Sequence, residues 1–171
     1  MSTDITATGR TEQRPDGRYI VLTRTFRAPI DDVWAAVTEP DRLARWIGRW
    51  TGDPATGKVA VEMLYEGDDV EPEEYTIDTC DAPRQLELTS QGTYGEDVPV
   101  TWHLKLDLAE EDGVTTLTFA QSMDDPAMAE NVGPGWEYYL DRLVAAETGG
   151  DPAAIDFVDY YPAMSEHYRA L

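Results

Sequence analysis

The 171-residue chain has one cysteine, Cys80, so no disulfide can form within it. It has two histidines, His103 and His167, which form no zinc site with Cys80 at any usual ligand spacing. Lysine is nearly missing too: Lys58 and Lys105 are the only two among 13 basic residues, against 34 acidic ones and a net charge of −21. A surface so short of positive charge repels phosphate backbones and anionic lipids, so neither nucleic acid nor a membrane surface is an expected partner. No run of about 18 apolar residues exists that could span a bilayer. The opening "MSTDITATGRTEQRPDGR" has no apolar stretch of the signal-peptide kind, and a soluble, cytoplasmic protein is expected. The motifs G-x-S-x-G, H-E-x-x-H and C-x-x-C are absent as well.

Aromatic residues are plentiful: five Trp, nine Tyr and three Phe. A chain of this size suits one domain and buries roughly 70% of its unfolded surface. Residues 1–17 are polar and are expected to be disordered. "YIVLTRTF" (19–26) alternates as a strand, with Ile20, Leu22, Arg24 and Phe26 on one face. Pro29 can open a helix, and Ile30, Val33, Trp34 and Val37 form its apolar stripe. Pro40 breaks that helix at Glu39 and starts a second, with Leu43, Trp46 and Ile47 inward and Gly48 as its stop. Five further strands follow at 58–67, 75–80, 85–91, 98–108 and 114–123. Gly133-Pro134-Gly135 precedes a long amphipathic helix carrying Trp136, Tyr139, Leu140 and Leu143, which ends at Gly149-Gly150. Residues 150–171 read as a helical extension, interrupted at Pro162, whose aromatics call for docking on the domain or across a homodimer.

Two features look like sites and are not expected to be. "GDPATGKV" (52–59) matches G-x-x-x-x-G-K, but Val59 stands where a phosphate-binding loop needs Ser or Thr, and a strand follows instead of a helix. The carboxylates of 66–74 do not follow the calcium-loop spacing and read as a solvated loop; no metal and no cofactor is expected.

The pattern R-x-F-x-A-P-x-x-x-V-W-x-A-V-T-x-P-x-x-L-x-x-W (24–46) resembles the start of the START-like (SRPBCC, helix-grip) superfamily. "TIDTCDAPRQLELT" (76–89) and "VGPGWEYYLDRL" (132–143) are similar to the hairpin and long-helix entry of one branch, that of the C-terminal domain of the activator of heat-shock-protein-90 ATPase. The resemblance covers about residues 19–148. It implies an α+β fold over residues 18–149: a curved six-stranded antiparallel sheet grips the long C-terminal helix, with two short helices between strands 1 and 2. A cavity is expected between sheet and helix. Strand and helix phase point Tyr65, Tyr75, Trp102, Phe119, Gln121, Trp136, Tyr139 and Leu140 into it. Arg24 shares the inward face, and its guanidinium needs a partner: a structural ion pair, backbone carbonyls, or a ligand carboxylate or carbonyl. Trp34 and Trp46 read as packing residues. No acid–base pair shows itself, so the expected function is non-enzymatic binding of a small apolar or amphipathic molecule. The alternatives are a protein-binding or chaperone co-factor module, and a cyclase- or hydrolase-type enzyme.

Overall fold

The computed structural model of the chain describes residues 6–66, 71–94 and 98–171. The disorder expected for residues 1–5, and the part of the solvated loop that holds Asp68 and Asp69, lie outside the described residues. The chain runs β1 (Arg10–Arg14), β2 (Gly17–Phe26), α1 (Ile30–Thr38), α2 (Pro40–Leu43), β3 (Gly48–Thr51), β4 (Lys58–Met63), β5 (Glu73–Asp81), β6 (Gln85–Tyr94), β7 (Val98–Glu111), β8 (Val114–Ser122), α3 (Ala129–Glu147) and α4 (Ser165–Arg169). One antiparallel sheet is ordered β1-β2-β8-β7-β6-β5-β4-β3, so it has eight strands and not six. Both extra strands are edges. β1 is the polar stretch RTEQR, expected to be disordered; backbone pairing with β2 holds it, and its charges suit an edge. β3 opens at Gly48, which does not simply stop a helix. A Cβ there would stand 2.3 Å from the Glu62 carbonyl of β4, so only glycine lets the strands close.

The concave face of the sheet carries Ile20, Leu22 and Phe26, Leu104, Leu106 and Leu108, and Leu117 and Phe119, all buried. α3 lies across it and contributes Tyr139, Leu140 and Leu143. On the convex face Tyr19, Val21 and Ala120 form a small second cluster. Arg14 and Lys105 cover the Tyr19 ring there, at 5.0 and 4.8 Å from its centroid.

α3 begins at Ala129, seven residues before Trp136, and takes in the Gly-Pro-Gly expected to precede it. Asp125 caps a short turn at Pro126–Met128 that feeds the helix. Pro134 cannot donate to the carbonyl of Glu130; Ser165 Oγ does so, at 3.2 Å. The tail is two single turns and the short α4, with Tyr160 and Tyr168 buried. It docks on α3, while Phe157 and Tyr161 stack in the open.

Candidate functional site

Sheet and α3 leave an apolar cavity of about 130 Å³ between them. Leu86 and Leu88, Leu104 and Leu106, and Leu117 and Phe119 form its floor, because alternation puts them on the concave face of β6, β7 and β8. Trp136 and Leu140 are its roof. Val37, Leu43, Trp46 and Ile47 close one end, and Val61, Met63 and Tyr75 close a side. The polar tips in this wall are already in use. Trp46 Nε1 donates to the Ala36 carbonyl (3.0 Å), Tyr75 Oη donates to Glu73 (3.0 Å), and Trp136 Nε1 donates to Gln121 Oε1 (2.5 Å). The Trp136 ring rests on Phe119, centroids 4.0 Å apart.

A second hollow of about 210 Å³ adjoins the first and shares Met63 and Trp136 with it. Glu66, Gln121, Asn131, Val132, Gly135 and Tyr139 complete its lining. Burial raises the Tyr139 phenol above its ordinary value of 10.0, and Glu66 adds to the rise.

Of the residues expected to face a ligand, Tyr75, Phe119, Trp136 and Leu140 line the inner cavity, and Gln121 and Tyr139 line the outer hollow beside Trp136. Trp102 is on the concave face, opposite Ser90, but lines neither space. Tyr65 is exposed; its hydroxyl donates to the Ala44 carbonyl, and its ring lies 4.0 Å from the Arg142 guanidinium. The floor leucines and the end wall from α1 and α2 had no place in the expected site. Their alternation and helical stripe were visible, but packing is the ordinary use of such patterns. Trp46 both packs and lines.

Arg24 faces α3 as its strand phase requires, yet away from the apolar cavity. It donates to Glu137 (2.9 Å), Asp141 (3.0 Å) and Thr8 Oγ1 (3.0 Å). Its need for a partner is thus met by two carboxylates one helical turn apart, and no ligand is required. The same carboxylates bear on the tail: Asp141 accepts from Tyr160 Oη at 2.7 Å, and burial together with the Glu137 charge raises the Tyr168 phenol. Burial pushes the Glu137 carboxyl up, but the hydrogen bonds from Thr8 and Arg24 outweigh it and leave the group below 4.5.

Burial also raises the phenols of Tyr75, Tyr160 and Tyr168, with Glu73, Asp141 and Glu137 respectively adding to it. A group raised on folding contributes stability that is complete below its unfolded value, near 10, and is lost as pH climbs above it. The urea midpoint should therefore fall steeply above about pH 10. Tyr168→Phe should flatten that fall, and an unchanged slope would count against the burial.

The sequence model of the Activator of Hsp90 ATPase homolog 1-like protein family matches residues 27–147. Among solved structures, the crystal structure of CalU16 from Micromonospora echinospora is 26% identical over 96% of each chain, with a TM-score of 0.71. The protein encoded by BPP1335 of Bordetella parapertussis is 23% identical, with a TM-score of 0.71, over 99% of this chain and 94% of that one. DynU16, from the dynemicin biosynthetic locus, is 24% identical over 78% of this chain and 49% of its own, with a TM-score of 0.65. Comparison with curated proteins gives no match. The family match spans the helix pair, the sheet from β3 onward and all of α3, and the chain belongs to the Activator of Hsp90 ATPase homolog 1-like family of the START-like, helix-grip superfamily.

Proposed function

We propose that the chain binds a small apolar or amphipathic molecule between sheet and α3 and does not transform it. The observation that carries this reading is the inner cavity, whose wall is apolar apart from ring tips that already have protein partners. Its volume is in the range of dry, Leu/Ile/Phe-lined cavities that admit benzene. A mostly apolar concave site with few polar groups is the ordinary form of a small-molecule pocket. Against catalysis, Tyr75 is the sole titratable side chain among the described residues that line the inner cavity, and burial raises its phenol further above physiological pH. General acid–base work needs a group poised near the working pH.

Leu88→Phe tests the reading, because it puts a ring into the space without removing a polar contact. Binding of p-xylene, followed by NMR titration, should weaken about tenfold or more while the fold is kept, because the new ring takes the space that the xylene would fill and with it the apolar burial that drives binding. Equal binding by both proteins would place the xylene elsewhere and end the proposal.

A further inference from the structure

The outer hollow carries information about the ligand that the inner cavity does not. Gln121 lines it and is 7% exposed. An indole N–H can only donate, so its bond from Trp136 fixes the carboxamide oxygen towards the ring. That orientation leaves the two amide hydrogens of Gln121 for the hollow it lines. Glu66 lines the same hollow and is an acceptor. Donor and acceptor together suit a hydroxyl, which can accept from Gln121 and donate to Glu66. Among the described residues, no Lys, Arg or His lines either the hollow or the inner cavity. A carboxylate head would lose its hydration, gain no cation, and meet Glu66.

We propose that the two spaces together select a neutral, hydroxyl-bearing amphiphile over the corresponding carboxylate, with Gln121 and Glu66 holding the hydroxyl and the apolar body passing Trp136 into the cavity. This rests on the binding reading above and names the chemistry of its head group.

The probes are 1-octanol and octanoate at pH 7, with p-xylene as a control for the apolar body, each followed by NMR titration of the full chain. Octanol should bind about three- to fivefold more tightly than octanoate, the measure of one like-charge contact at an exposed carboxylate. Glu66→Arg, at an exposed position, should close that gap by strengthening octanoate. Gln121→Glu keeps an acceptor for Trp136 and loses the amide donor. It should weaken octanol about three- to tenfold, as the loss of one hydrogen bond would, and by more than it weakens p-xylene. Octanoate binding as tightly as octanol, or octanol failing where xylene binds, overturns this inference alone. Failure of all three probes overturns the binding reading and this one with it.

Discussion

Arg24→Met should cost the folded protein about 3–5 kcal/mol, the usual penalty for leaving one member of a buried ion pair without the other. Glu137 is the member left behind. Its side chain is 1% exposed, whereas Arg24 is 11% exposed, so neither charge can turn to water. Thr8 would still donate to Glu137 through its amide and hydroxyl, but no positive charge would remain beside the carboxylate. The double variant Arg24→Met/Glu137→Met should recover most of the loss, since no orphan charge stays buried. A double-mutant cycle in urea checks this; a single-variant loss under about 1 kcal/mol would mean the pair behaves like a solvated one. The pH dependence has a definite sign. Glu137 lies below its unfolded value, so its stabilisation is present above about pH 4.5 and is lost as pH falls through the lower folded value. Glu137→Gln should remove that acid-side slope.

Gly133→Ala should destabilise the protein although it replaces glycine by the best helix former, a change otherwise worth about 1 kcal/mol in favour. The added Cβ would stand 2.4 Å from two ring carbons of Tyr168. That ring has nowhere to go: it is buried, and its hydroxyl accepts from the Gly9 amide at 3.1 Å. Gly133 also precedes Pro134, where a Cβ disfavours helical geometry. The expected result is release of the tail, with residues 160–168 exchanging their amide hydrogens rapidly and the melting temperature falling. Gly135→Ala, two residues on in the same helix, meets nothing within 4 Å and is the control; it should hold or gain stability. Protection of the tail equal in both variants would refute the clash.

These two residues also show how far the sequence could be read. Strand alternation placed Arg24 on the correct face of β2, because a period of two is fixed by backbone geometry. It could not say that Glu137 and Asp141 would be waiting, since that depends on where α3 crosses. Gly133 was taken for a boundary because Gly-Pro-Gly is a poor helix formula in isolation. In the fold, the close approach of Tyr168 requires the glycine, and Ser165 takes the carbonyl that Pro134 cannot serve. β1 and β3 escaped notice for a related reason: pairing partners, rather than an apolar alternation of their own, make them strands. The site divided in the same way. Tyr75, Phe119, Trp136 and Leu140 were legible from phase, whereas the end wall of Val37, Leu43, Trp46 and Ile47 depends on how α1 and α2 dock.

The bond from the Gly9 amide to Tyr168 Oη joins positions 159 residues apart. His167 Nε2 lies 2.9 Å from the Gly9 carbonyl and doubles the link. At equilibrium so long a closure is only slightly dearer than a shorter one, because its entropy grows with the logarithm of loop length. In rate the difference is larger, because folding slows as the sequence separation of the native contacts grows. The fold is therefore a ring, fastened at Gly9 by His167 and Tyr168. The clasp lies on the Arg24 side of α3, and none of its three residues lines the cavity.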